Sequence, residues 1–318
     1  MNPVTGLYRG VTALRNSLFD RGTLVSRRLQ QPVVSVGNLS VGGSGKTPFV
    51  IALGQLLSAR GISFDVLSRG YRRQTRGVLV VDPSGNAADF GDEPLLIARR
   101  LGVPVIVGES RYAAGRAAEE RFRSELHLLD DGFQHRSLAR DFDIVLMSER
   151  DFDDRMLPSG RLREPLSSLA RADAVVLSSD IGADHPALRP KIIWRVERKL
   201  DLPSLPAAPI LFCGIARPEQ FFVQVRAAGV TPAAEIEFRD HHAYNSDDIQ
   251  MLIDIRRDKP GEGFLTTEKD AINLGALLGV NQTALKPLAV AELRVTIEHP
   301  ADVLDAILTT IEKRKARS

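Results

Sequence analysis

The chain has 318 residues, of which 43% are hydrophobic and 26% charged, a balance that excludes intrinsic disorder and suits two packed units. Lysine and arginine total 42 against 40 aspartates and glutamates, so charge gives no reason to expect a nucleic-acid partner. With one cysteine, Cys213, neither a disulfide nor a thiolate zinc site can be built, and a reducing compartment such as the cytosol fits best.

Residues 1–30 read as an amphipathic basic helix. Leu7, Val11, Leu14 and Leu18 recur at helical spacing, and Arg9, Arg15, Arg21, Arg27 and Arg28 face a single acid, Asp20. Such a helix either packs its apolar side on the core or lies in a bilayer interface, where a basic residue near anionic lipid contributes about 1 kcal/mol. No run reaches the roughly 18 consecutive apolar residues that a spanning helix needs, and the first residues lack the apolar centre of a secretory signal.

From residue 32 onward apolar runs alternate with helical patterns, the signature of βαβ units. Strands are expected at 32–38, 63–68, 104–108, 126–130, 142–148 and 173–179, with helices at 48–61 and 93–102 each closing near a glycine. This predicts an α/β fold with a doubly wound, mostly parallel sheet that places ligands at the carboxyl ends of its strands. Residues 192–200 break the rhythm, and three prolines within 201–209 read as a linker. The expected division is a helix at 1–30, an α/β domain at 31–198 and a smaller α/β domain at 199–318.

Residues 42–48, GGSGKTP, follow a buried-strand pattern and precede a helical one, which is the context that gives a phosphate loop its meaning. Gly42, Gly43, Ser44 and Gly45 allow backbone N–H groups to converge on phosphate oxygens; Lys46 can neutralise the β and γ phosphates, and Thr47 can hold Mg²⁺. The first glycine of the usual spacing is missing, its place taken by Ser40. A plain helix-capping turn is the competing account. The run 126–130 ends in Asp130 and Asp131, which would emerge beside this loop and complete a metal shell, the pattern leaving open which of the two touches the ion.

Asp92 precedes a helix with Pro94 in its first turn, and locally it reads as a cap. His241 and His242 stand in a polar stretch beside Asp240. Two basic segments, one with Arg69, Arg72 and Arg73 and one with Arg161, Arg163 and Glu164, could bind anions or face solvent. In TTEKDA, Lys269 and Asp270 are adjacent, so the guanine signature, which needs a spacer between them, fails. That failure, with scarce metal ligands, weighs against a P-loop GTPase or metal-insertion chaperone.

Together GNLSVGGSGKTP, LSRGYRR, GDEP, LLDDGFQHRSLARD, GRLREP, FCGIARPEQF, FRDHHAY and TTEKDA resemble, in this order and over nearly the whole chain, the tetraacyldisaccharide 4'-kinases, whose phosphate loop also lacks the first glycine. The resemblance implies ATP and Mg²⁺, with transfer of the γ-phosphoryl group to the 4'-hydroxyl of an acylated glucosamine disaccharide 1-phosphate. The site of action would be the cytoplasmic face of a Gram-negative inner membrane, with the protein peripheral on an anionic surface and residues 1–30 as its interface helix. It further implies Asp92 as general base with His241 as partner, Lys46 and Thr47 on phosphate and metal, and Asp130 or Asp131 on the metal. More weakly, it places Arg69, Gln134, His135, Arg161 and Glu164 near the sugar headgroup.

Overall fold

The computed structural model describes residues 3–259, 261–280 and 285–316. In chain order α1 (Pro3–Asp20) leads to β1 (Val33–Asn38), α2 (Lys46–Ala59), β2 (Phe64–Ser68), the short β3 (Leu79–Val80) and α3 (Ala87–Phe90), then α4 (Asp92–Leu101) and β4 (Val105–Val107). There follow α5 (Arg111–Arg121), β5 (Leu126–Asp130), β6 (Phe142–Leu146), β7 (Ala174–Ser178) and β8 (Ile192–Asp201). The last part holds β9 (Ile210–Cys213), α6 (Pro218–Ala227), β10 (Ala234–Glu237), α7 (Ser246–Asp258), β11 (Phe264–Thr267), α8 (Glu268–Val280), β12 (Leu288–Ile297) and α9 (Pro300–Lys315).

All residues of β1, β2, β4, β5 and β6 are buried, as strands covered by helices on both faces must be. Among the described residues the strands form one sheet in the order β10-β9-β11-β12-β8-β7-β6-β1-β5-β2-β4-β3. Its neighbours are parallel except β12–β8 and β3–β4, so the fold is mixed α/β around a large, mostly parallel sheet. Residues 192–200, which break the sequence rhythm, belong to strand β8 because Trp194 and Val196 alternate inward while the other side stays open. Trp194 stacks on Phe142 at 5.7 Å.

The register of β12 decides where a site can form. Its first residues, Leu288 to Ala291, pair with β11, whereas Glu292 to Ile297 pair with β8 in the opposite direction. Strands β9, β10 and β11 are therefore displaced along the strand axis past the carboxyl end of β8 and run the opposite way. Their carboxyl ends point back at those of β1, β2 and β5. Between Arg198 and Lys199, where the sequence suggests a domain boundary, β8 runs on unbroken, and α9 returns to pack Val303, Ile307 and Ile311 into the core around Ile144 and Phe49.

α1 is oriented against the usual rule for a surface helix. Its polar side meets the body: Asn16 Nδ2 donates to Glu164 Oε2 at 2.7 Å, Tyr8 Oη to Arg163 O at 3.1 Å and Arg15 Nη2 to Gln134 O at 2.9 Å. The apolar stripe faces outward, Leu7 being 70%, Val11 59% and Leu14 62% exposed. Packing on the protein's own core, one of the two sequence expectations, is thereby excluded for these three residues, while Leu18 is half-buried.

At the centre of the sheet Gly37 abuts Phe133, where an added Cβ would lie 2.5 Å from Phe133 Cβ and 2.8 Å from its backbone nitrogen. Gly37→Ala is expected to destabilise the protein by about 1–3 kcal/mol through overpacking, read as a lowered midpoint of urea unfolding.

Candidate active site

β1 ends at Asn38, and residues 39–45 carry the chain into α2. Ser40 forms an antiparallel bridge with Leu162, flanked by Val41 N donating to Arg161 O at 2.8 Å and Arg163 N to Leu39 O at 2.6 Å. Positive φ occurs at Gly42 (83°) and Gly45 (80°) and not at Ser40, so the geometry asks for glycine at the former two and not at the place where the usual spacing has one. A Cβ on Gly45 would lie 3.0 Å from Arg198 Nη2, which donates to Ser44 O at 2.9 Å. Lys46 opens α2, its Nζ bonded to Asn38 Oδ1 at 3.2 Å and Ser44 Oγ at 3.4 Å and lying 3.5 Å from Asp131 Oδ1.

Because β5 lies between β1 and β2 in parallel, its carboxyl end delivers Asp130 and Asp131 beside this loop. Asp130 is 2% exposed and accepts from Ser68 Oγ at 3.1 Å. Burial, with Glu93 and Asp131 nearby, pushes its carboxyl up to about 7. Asp131 takes a left-handed φ of 48° and meets Arg163 through two bonds, 2.9 and 3.1 Å. Burial opposes its charge, yet Lys46 and Arg163 hold it well below the usual carboxylate range. Arg111 stands close by, 5% exposed, its guanidinium lowered to about 10 by burial although Asp130 opposes that shift.

The opposite wall comes from the second set of strand ends. His241 Nδ1 lies 2.7 Å from Asp92 Oδ2, and Lys269 Nζ lies 3.1 Å from Glu93 Oε1 and 3.7 Å from Asp92 Oδ2. Asp92 is the first residue of α4, whose cap is Gly91, and its Oδ1 accepts from Glu93 N at 2.9 Å. The local reading of Asp92 as a cap is thus corrected: Gly91 occupies that position. Burial opposes the Asp92 charge, but the His241 bond, Lys269 and Asn273 hold its carboxyl below the ordinary value. His242, by contrast, bonds Asp248 at 2.9 Å.

His241 has a left-handed φ of 56°, a conformation that costs a non-glycine residue on the order of 1 kcal/mol and needs support. The support is visible. Arg72 Nη1 donates to Asp240 O at 2.7 Å and to His241 O at 3.0 Å, and His241 N donates to Gly214 O at 2.9 Å. Gly214 N in turn donates at 2.7 Å to buried Asp270, which also accepts from Tyr244 Oη and Thr267 Oγ1.

These walls enclose a cleft of about 1170 Å³ lined by residues 42–47, Arg69, Asp130, Asp131, Arg163, His241 and Lys269. Other residues suggested for the headgroup are committed elsewhere. Arg161 Nε bonds Asp154 Oδ2 at 2.7 Å, and Gln134 Nε2 donates to Asn38 O at 2.9 Å. Glu164, 1% exposed, pairs with Arg171 at 2.9 Å beneath α1. His135 bonds Ser137 Oγ at 3.0 Å. Burial and surrounding arginines lower it to about 4, which leaves the ring neutral at pH 7. Two polar residues that the sequence did not single out, Glu93 and Ser68, share the walls, and Asn38 accepts from Lys46 Nζ. Lys269 stood in a quoted motif without a role, and Arg163 only in a segment that could bind anions or face solvent.

The LpxK family model, described as tetraacyldisaccharide-1-P 4'-kinase, matches residues 1–312. The chain belongs to this family. It is 46% identical to the tetraacyldisaccharide 4'-kinase of Koribacter versatilis over 99% of this chain and 100% of that protein. It is 38% identical to the protein of the same name from Aquifex aeolicus over 86% and 88% of the two chains. The fold is similar to a crystal structure of LpxK from Aquifex aeolicus in complex with ATP, with a TM-score of 0.79, 33% identity, and 97% and 98% coverage.

Gly91 gives this family site a specific weak point. Its φ of 89° and ψ of 149° belong almost only to glycine, and a Cβ would lie 3.1 Å from Tyr71 O. Gly91→Ala is expected to cost about 1–3 kcal/mol of stability and to draw Asp92 away from His241, measured as a lower unfolding midpoint together with reduced phosphorylation.

Proposed function

We propose that the cleft transfers the γ-phosphoryl group of ATP to the 4'-hydroxyl of a tetraacylated glucosamine disaccharide 1-phosphate, the step of lipid A biosynthesis for which the family is named. The observation that carries this reading is the 2.7 Å Asp92–His241 pair, whose histidine lines the same cleft as the glycine loop, Lys46 and Asp131. The loop at residues 42–47 acts as a phosphate loop. Its backbone N–H groups and the start of α2 receive the triphosphate, and Lys46 exchanges its contact with Asp131 for phosphate oxygens. Arg163 stands beside the transferring group, where fixed positive charge matters most.

The donor set suits Mg²⁺. Thr47 offers a hydroxyl, and Asp130 offers a buried carboxylate whose charge has too little compensation, as its raised pKa shows; hard oxygen donors of this kind are what Mg²⁺ takes, with phosphate and water oxygens completing the shell. When bound, the ion neutralises charge on the phosphates. Asp131, held by Lys46 and Arg163, keeps those two cations in place before ATP arrives.

On the acceptor side Asp92 takes the proton of the sugar hydroxyl as that oxygen bonds to the γ-phosphorus and the bond to the β-phosphate oxygen breaks. His241 orients the carboxylate. Asp92 is 4% exposed, so the reacting hydroxyl is drawn deep into the cleft and away from bulk water. Residues 31–198 would serve as the nucleotide-binding half and the strands after residue 199 as the half that brings His241. Asp92→Asn is expected to lower kcat by about 10²–10⁴-fold with ATP affinity retained. Since the carboxylate is the working form and its pKa is depressed, the wild-type acid limb should lie below the ordinary carboxylate range. Full turnover by the variant would remove Asp92 from the role.

α1 is the interface element of this reading. Leu7, Val11 and Leu14 point away from the body, with Arg9 and Arg15 on the same helix, and an acylated substrate stays in the bilayer. In this reading the protein sits peripherally on the anionic cytoplasmic face of an inner membrane. Leu7→Asp combined with Leu14→Asp is expected to weaken binding to anionic vesicles with the fold unchanged, checked by sedimentation.

A further inference from the structure

Lys269, from the TTEKDA stretch that fails as a guanine signature, occupies a chemically specific position. Its Nζ lies 3.3 Å from His241 Nε2, the ring nitrogen that Asp92 does not use. An ammonium has donors and no acceptor, so at this contact the ring must present a lone pair. The ring proton therefore sits on Nδ1, facing Asp92 Oδ2.

We infer that Lys269 is a positioning residue that holds His241 neutral in its Nδ1–H form and thereby leaves Asp92, not His241, as the group that receives the proton of the sugar hydroxyl. This rests on the kinase reading above, although the tautomer is a property of the protein without substrate. An aspartate–histidine pair beside a cleft could work the other way, with the ring as base and the carboxylate orienting it. The ammonium on Nε2 blocks that option.

The surrounding charges show why the block is needed. α4 presents Asp92 and Glu93, and Asp240 on the histidine's own loop lies 3.9 Å from Nε2. Three carboxylates would favour an imidazolium. Opposing them are Lys269 at the start of α8 and Arg72, whose guanidinium bonds the carbonyls of Asp240 and His241. Tyr71 adds a ring edge at 5.3 Å, and Asn273 donates to Asp92 at 3.4 Å. Burial works against the charge of Lys269, but Glu93, Asp92 and Asp240 outweigh it and raise its pKa. The ammonium persists through the neutral range.

Lys269 also lines the cleft, so the competing role is a phosphate ligand, and the two roles separate on Lys269→Met. Histidine-labelled protein without substrate is followed by ¹⁵N NMR at neutral pH, with His241→Gln assigning the signal. The wild-type ring should show the neutral Nδ1–H form. In Lys269→Met the Nε2–H form or the imidazolium should appear, and kcat should fall with KM for ATP unchanged. Lys269→Arg, which keeps the charge, should restore the Nδ1–H form. A wild-type ring in the Nε2–H form or as the imidazolium would overturn the inference. So would a Met variant whose ring is untouched while KM for ATP rises. Should the wild type phosphorylate no lipid disaccharide, the kinase reading fails instead, and the NMR result still decides the tautomer.

Discussion

The antiparallel contact between β8 and β12 governs everything else. Parallel α/β sheets gather ligands at one edge, the carboxyl ends of their strands. Here a second parallel set is attached through a strand that runs the other way and is shifted past the end of β8, so two such edges face each other. The first edge brings Lys46, Asp130 and Asp131, and the second brings His241 and Lys269. Asp92, at the start of α4, stands on the first edge, and only the second edge gives it the partners His241 and Lys269.

That geometry turns electrostatics into a device for keeping the halves in register. Arg100 on α4 reaches Glu268 at 2.6 Å and Glu292 at 3.0 Å, and Arg72 reaches the carbonyls at 240 and 241. Pairs of this sort on a surface contribute little to stability. Partly buried and spanning the cleft, they gain little in energy but fix the distance between Asp92 and its histidine. A short carboxylate–imidazole bond between residues that far apart in sequence can form only if both edges are set to well under an ångström.

Much of this was legible in the sequence. The six strands expected before residue 180 all form, because buried apolar runs ending at Gly, Asn, Asp or Ser carry their own punctuation. Lys46, Asp130 and Asp131 stand out because each sits where a strand pattern ends or a helix begins, whereas Asp92 reads locally as a cap and gains its proposed role only from the family resemblance. Two kinds of feature were missed, for physical reasons. β8 alternates inward and outward residues over a long span and so resembles neither a buried strand nor a helix. Arg161, Arg163 and Glu164 are near neighbours in sequence, but alternate residues of an extended segment point to opposite sides. Arg163 faces Asp131 while Glu164 turns inward to Arg171. Nothing in a linear pattern reports that choice, nor the three-dimensional meeting of Lys269 with His241.

α1 illustrates the remaining ambiguity and its resolution. Periodicity shows that a helix is two-sided, not which side meets the protein. The deciding information lies in partners that are remote in sequence: Glu164, Gln134 and the Arg163 carbonyl offer acceptors to the polar side of the helix. A helix held by hydrogen bonds on one side leaves Leu7, Val11 and Leu14 on the other. Those same acceptors belong to the segment that carries Arg163 to Asp131 and to the turn that follows Asp131. The outward apolar stripe and the proposed phosphate site are therefore fastened to one stretch of backbone, and a surface that grips the stripe would be held at a fixed distance from Asp131 and Arg163.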